Sequence, residues 1–184
     1  VIITEKDVEH RDGITWVTNP AWRGHAVSLA DAETVKTEVL LDSPKRFVRE
    51  RLRMPAGEEV DWCYVDTPAS VLAIPVVESG DLVMVYQYRR NLRRYTLEFP
   101  AGEVAPGEDL EVAALRELAE ETGYAPAGVG CVRPLGSFYS SPSETTKETH
   151  VFLVSPVIPA GEALKDDQIE KFFNMSVLST TPEG

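Results

Sequence analysis

Hydrophobic and polar positions alternate with a period of two in one segment of this chain, and short apolar or extended runs bounded by turn residues mark others. "RFVRERLRM" (46–54) sets Phe47, Arg49, Arg51 and Arg53 against Val48, Glu50, Leu52 and Met54, the pattern of a half-buried strand. "VDWCYVD" (60–66) is a second strand candidate after the turn "PAGEE". "SVLAIPVV" (70–77) is a short apolar run suited to a buried strand, with Pro75 marking a bulge or an end. The turn "ESGD" separates it from "LVMVYQYR" (82–89), so the two read as a hairpin. "RRYTLEFP" (93–100) is extended up to its proline, and further strands are expected at 131–139, 149–157 and 171–179. "AETVKTEVLL" (32–41) fits strand or helix, "DGITWVTNPAWRG" (12–24) a short strand and turn, and "TTPEG" (180–184) the start of another helix. One segment departs from these patterns. "GEDLEVAALRELAEETG" (107–123) repeats like a helix, with Val112, Leu115, Leu118 and Ala119 on a core face and Glu111, Glu117, Glu120 and Glu121 away from it. This order of elements predicts an α+β fold, a mixed sheet flanked by helices.

Composition narrows the function. The chain has 184 residues, enough for one domain or a domain with a small appendage. A net charge of −12 argues against general nucleic-acid binding, which needs a positive field, but leaves room for a local basic site for a small phosphorylated ligand. No apolar run approaches the ~20 residues that span a bilayer, so no membrane partner is expected. Cys63 and Cys131 have no CxxC spacing, which suits a reduced, cytoplasmic setting. His10, His25 and His150 have no zinc-ligand spacing.

The helical segment then poses a problem. Glu117, Glu120 and Glu121 fall at i, i+3 and i+4 and share one face, where like charges repel. They also crowd the last turn, where the helix dipole favours cations. Clustered carboxylates of this kind suit Mg²⁺, a hard cation that takes oxygen ligands. Mn²⁺ is the natural substitute. Arg116, four residues before Glu120, can pair with it. Glu108 stands at the helix start, where an anion is favoured.

The wider pattern is Gly102, five residues, Glu108, seven residues, Arg116-Glu117-Leu118, Ala119, Glu120-Glu121, Thr122, Gly123, Tyr124. This resembles the Nudix box, with every fixed letter at its spacing and Tyr124 in the final apolar position. The resemblance implies an α/β/α sandwich built on the mixed sheet. It also implies metal bound by Glu117, Glu120, Glu121 and the Ala101 carbonyl, with Arg116 orienting the glutamates. "QYR" (87–89) and "LEFPAGEV" (97–104) resemble the branch that hydrolyses ADP-ribose and ADP-sugars. In that branch an N-terminal β-subdomain pairs with a second subunit. Residues 1–56 are expected to play that part, 57–184 to form the catalytic domain, and the protein to be a homodimer.

Arg89 is then a candidate for a substrate phosphate, because its planar fork matches phosphate oxygens. Arg90, with Arg93 and Arg94, extends a basic island around it. Glu98 is a candidate acceptor for a ribose or a base, and Tyr88 and Phe138 are candidates for stacking on adenine. Downstream, "YSSPSETTKETHVFL" (139–153) resembles this branch's loop and following strand, but Ser143 replaces a usual glycine. Lys147 stands where many relatives carry a glutamate, leaving Glu144 and Glu148 on either side as candidate general bases. The implied activity is metal-dependent hydrolysis of a small nucleoside diphosphate derivative, with ADP-ribose giving AMP and ribose 5-phosphate. Other substrates (GDP-mannose, a dinucleoside polyphosphate, coenzyme A) and a non-hydrolysing nucleotide sensor are the alternatives.

Overall fold

The computed structural model describes the backbone of residues 8–11, 14–17, 32–161 and 176–180, and the side chains of residues 32–161. The chain forms two compact units, residues 1–40 with 48–63, and residues 41–47 with 64–184. The first holds the antiparallel hairpin of β1 (Val8–Arg11) and β2 (Ile14–Val17). It also holds most of a three-stranded sheet ordered β3 (Glu33–Leu41), β4 (Arg46–Arg53), β5 (Glu59–Asp66). The period-two pattern of β4 is realised. Val48 and Leu52 are buried on one face, and on the other Arg49 pairs with Glu38 and Arg51 with Asp61. Segment 32–41, which fitted strand or helix, is strand.

The larger unit is a mixed sheet of eight strands. They are β6 (Ser70–Val77), β7 (Leu82–Arg89), β8 (Arg94–Glu98), β9 (Ala101–Glu103), β10 (Tyr124–Pro126), β11 (Val132–Tyr139), β12 (Glu148–Pro159) and β13 (Ser176–Thr180). The path runs β10-β12-β6-β7-β13, with β11 on β12, β8 on β7 and β9 on β6. β12 and β6 are parallel, and the other pairs are antiparallel. The expected strands and the β6–β7 hairpin are present. Two short strands have no counterpart in the sequence pattern. β9 and β10 have only three residues each, too few for a period to show, and pairing with β6 and β12 makes them strands.

The helix α1 (Leu110–Thr122) packs on this sheet. Its N-terminal half meets Val71 and Phe152 through Ala113 and Ala114, and Leu118 meets Ala73, Val83 and Val154. The buried stripe differs from the expected one in two ways. Val112 is 58% exposed, and the small residues Ala113 and Ala114 take the contact instead, letting helix and sheet approach closely. Glu121, expected away from the core, is only 6% exposed, because the carboxylate face of α1 turns toward β9 rather than toward water. The helix also starts later than 107. Asp109 is the N-cap and accepts from the backbone N–H groups of Glu111 and Val112, while Gly107 and Glu108 lie in the turn before it. Gly123 ends the helix at φ 72°, as its position predicts. Of the helix start expected over 180–184, Thr180 instead closes β13 and 181–184 lie outside the described residues, and α1 is the one helix among those described.

Candidate active site

The site is built where β9 meets α1. Pairing Leu72 with Ala101, Val71 with Gly102 and Ser70 with Glu103 fixes β9 along the edge of β6. Gly102 then lies directly under Glu117. A Cβ added at Gly102 would sit 2.0 Å from both Cδ and Oε1 of Glu117. The φ of Gly102 is not in the left-handed region. Glycine is required here by the space the carboxylate fills and not by backbone strain. One residue earlier, the Ala101 N–H donates to Glu121 Oε2 at 3.1 Å, which accounts for a carboxylate in the core.

Arg116 gathers the remaining anions. Its Nε and Nη2 donate to the two oxygens of Glu108 at 2.8 and 3.1 Å, a bidentate pair. Its Nη1 donates to Glu117 Oε1 at 2.7 Å and to Glu120 Oε2 at 3.1 Å, and its Nη2 also donates to the Glu103 carbonyl at 3.1 Å. One guanidinium thus holds three carboxylates and a strand carbonyl. Arg116 pulls the Glu108 carboxyl down to about 2, helped by the Ala105 N–H that donates to it. The same carboxylates, Glu108 foremost, raise Arg116 well above its ordinary value. The i, i+3, i+4 crowding that looked unfavourable in sequence is offset by this single cation and by the Ala101 N–H.

Two further groups of expected residues occur elsewhere on the sheet. Arg89 Nε and Nη2 donate to the two oxygens of Glu98 at 2.8 and 2.5 Å, and the Thr96 hydroxyl also donates to Glu98. Arg89 lowers the Glu98 pKa, with Thr96 assisting. Strand alternation puts Arg89 on the same face of β7 as Val83, which packs against Leu118 of α1. Arg90, Arg93 and Arg94 lie exposed at the turn that follows. Tyr88 meets Tyr95 edge to face, and Phe138 is 45% exposed.

Glu148 opens β12 and accepts from Ser137 Oγ at 2.6 Å and Tyr139 Oη at 3.0 Å. These hydroxyls, Ser137 first, lower its pKa, and Glu148 in turn raises that of Tyr139. Glu144 accepts from Ser141 within the loop before β12. The partners of Glu148 were not read from sequence. Ser137 and Tyr139 are two apart and share a strand face, but only the β11–β12 register brings them to Glu148.

Among the described residues no three Asp, Glu, His or Cys side chains converge into a metal cage. Mg²⁺ does not require one. It keeps several waters and takes one or two carboxylates together with phosphate oxygens. Glu117 seated on Gly102, Glu120 beside it and Glu121 at Ala101 form an oxygen-only donor set along one edge, which fits that mode of binding.

The NUDIX domain family model matches residues 66–181. The chain belongs to the Nudix family. It is 32% identical over 143 residues to the ADP-ribose pyrophosphatase of Bacillus subtilis (strain 168), covering 78% of this chain and 76% of that protein. It is 36% identical over 103 residues to the ADP-sugar pyrophosphatase of Mus musculus, covering 49% and 47% of the two chains. The crystal structure of an ADP compounds hydrolase superposes with a TM-score of 0.69 at 20% identity, over 84% of this chain and 80% of that one, which shows a shared fold. This Nudix protein is therefore a hydrolase of pyrophosphate bonds, with the α+β architecture expected from its sequence.

Proposed function

We propose that this Nudix enzyme hydrolyses ADP-ribose to AMP and ribose 5-phosphate with the help of Mg²⁺, for which Mn²⁺ substitutes. The single observation that carries the reading is the carboxylate edge at β9 and α1. Glu117 is seated on Gly102, Glu121 is anchored on Ala101, and Arg116 orients Glu117 and Glu120. The choice of ADP-ribose is supported by the Bacillus subtilis relative, aligned over most of both chains. Glu117, Glu120, Glu121 and the Ala101 carbonyl would hold the ion. When bound, such an ion supplies positive charge to the phosphate oxygens and lowers the pKa of a bound water.

The protein's own groups do the positioning. Arg116 holds Glu117 and Glu120 with one guanidinium and thereby fixes their spacing. Arg89 offers its fork to a substrate phosphate by exchanging Glu98 for phosphate oxygens, a like-for-like replacement of one anion by another. Glu98 is then available to a ribose hydroxyl. Glu148, kept ionised by Ser137 and Tyr139, is the proton acceptor we favour over Glu144, which stands in the loop. The enzyme acts as a homodimer in this reading, with residues 1–56 contributing to pairing. Light scattering at micromolar concentration tests that, and a mass of one chain would reject it.

The experiment for the activity is a panel of nucleoside diphosphate sugars with Mg²⁺ or with EDTA, read by release of the nucleoside monophosphate. ADP-ribose is expected to be the best substrate and EDTA to abolish turnover. Glu120→Gln and Glu121→Gln should each lose more than about a hundredfold in kcat, the scale of removing a transition-state charge contact. Full activity in both variants, or equal turnover with EDTA, would reject the proposal.

A further inference from the structure

A cavity of about 470 Å³ opens in the larger unit, where the turn before β4, the chain entering β6 and the end of β9 come together. That volume falls in the range of small-ligand sites. Asp42, Lys45 and Arg46 line it from the turn, Asp66 and Thr67 from the approach to β6, and Glu103 from β9. The wall at 66–67 is braced from behind. Thr67 N donates to Thr146 Oγ1 at 2.9 Å, Thr146 Oγ1 donates to Asp66 Oδ1 at 3.1 Å, and the Thr67 and Thr145 hydroxyls are 3.2 Å apart.

The charges select the ligand. Lys45 Nζ lies 3.0 Å from Glu103 Oε1, and Arg46 lies 3.7 Å from Asp42 and 3.5 Å from Asp66. Each cation is already matched, and carboxylates outnumber cations. The lining carries three carboxylates against two cations, so a phosphate would enter a site that is already negative. A neutral, hydroxyl-rich group faces no such cost. Its hydroxyls can donate to the carboxylates and accept from Lys45 and Arg46. Pro44 and Pro68 add two apolar rings for the C–H face of a sugar.

One residue ties the cavity to the candidate active site. The Glu103 carboxylate lines the cavity, while its carbonyl accepts from Arg116. Gly102, just before it, carries the Glu117 carboxylate. Alternation sets Gly102 and Glu103 on opposite faces of β9, so a ligand reaching both must pass around the edge of β9 that does not pair with β6.

We propose that this cavity is a sugar subsite, which takes the neutral polyhydroxylated end of a nucleoside diphosphate sugar while its diphosphate lies at the glutamates. This rests on the function proposed above and adds the residues that set sugar preference. Asp42 is the position to test, because its side chain is 79% exposed and its replacement does not disturb a core. The test compares ADP-ribose with an ADP ester that carries ethyl in place of the sugar, in wild type, Asp42→Ala and Asp42→Trp. Wild type is expected to favour ADP-ribose in kcat/KM. That preference should fall about tenfold in Asp42→Ala, the loss of one hydrogen bond to a charged group, and further when tryptophan fills the cavity. The loss should appear in KM for ADP-ribose rather than in kcat. Equal preference in all three proteins overturns the subsite. So does competition by inorganic phosphate that Asp42→Trp abolishes, since the cavity would then be an anion site. A wild type inactive on every nucleoside diphosphate sugar rejects the proposed function itself. An active wild type whose variants keep its preference rejects the subsite alone.

Discussion

The Glu117 carboxylate fills the space that a side chain at Gly102 would need. A methyl group at Gly102 would meet the Glu117 carboxylate at 2.0 Å, so the carboxylate must leave. The backbone there suits any residue, and the far end of a glutamate can swing aside. Gly102→Ala should therefore fold normally and lose catalysis. We expect a drop of roughly ten- to a hundredfold in kcat, the scale on which disturbing a metal ligand acts, Glu117 being a ligand in the function proposed above. Thermal melting should change little. A variant with unchanged kcat would show that the position of Glu117 does not matter to turnover. Arg116 is the complementary case. Lysine keeps the charge but lacks the fork that holds Glu108 with two bonds while a third nitrogen reaches Glu117 and Glu120. Arg116→Lys should lose activity on a similar scale, roughly tenfold or more, measured as AMP release at saturating Mg²⁺.

At the level of elements, α1 is held by its ends as well as by its core stripe. Asp109 caps two N–H groups at 2.9 and 3.2 Å, so Asp109→Ala should cost about 1 kcal/mol, measured by urea unfolding. A change below a few tenths would mean that packing on the sheet alone fixes the start of α1. Asp109 also illustrates how far the sequence could be read. The helix, its glycine stop and its glutamate triplet were legible, because a period, a Gly123 and a spaced motif are local signals. From sequence the helix starts at 107, with Glu108 as the anion that suits an N-terminus. Only the backbone at Asp109, extended at φ −71° and ψ 141°, marks the cap. Long strands are locally marked, β4 by its period of two and β6 by its apolar run. Three-residue β9 is not, although it carries Ala101 and Gly102. The direction of the carboxylates was likewise hidden. Spacing put Glu117, Glu120 and Glu121 on one face, but whether that face met water or β9 depended on how Ala113 and Ala114 seat the helix. The partners of Glu148 and the wall around Asp42 join segments far apart in the chain, and no local pattern encodes them.

Across the whole molecule, several carboxylates share one electrostatic property that should be visible as a loss of stability in acid. Glu108 is drawn down to about 2 by Arg116, Glu98 is lowered by Arg89, and Glu148 is lowered by Ser137 and Tyr139. A carboxyl whose pKa is lower in the folded than in the unfolded chain stabilises the fold above its unfolded value, and that contribution is lost as pH falls through the folded value. All three begin from an ordinary value of 4.5. Their contribution should then be complete at neutral pH, intact down to about 4.5, and lost between there and about 2, where Glu108 finally takes up a proton. The net charge of −12 acts in the opposite sense over the upper part of the range, because protonation toward the pI of 4.7 relieves self-repulsion. The urea midpoint should therefore stay level or rise slightly from pH 7 to 5 and fall steeply below 4.5. In Arg89→Ala the Glu98 carboxyl loses its main partner, and its pKa should return toward the ordinary value. That variant should be less stable at pH 7 and should converge with wild type as pH falls below the ordinary carboxylate range and Glu98 takes up its proton. Curves that stay parallel down to pH 2 would mean that Arg89 stabilises the fold by packing its stem on β8 and not by its charge.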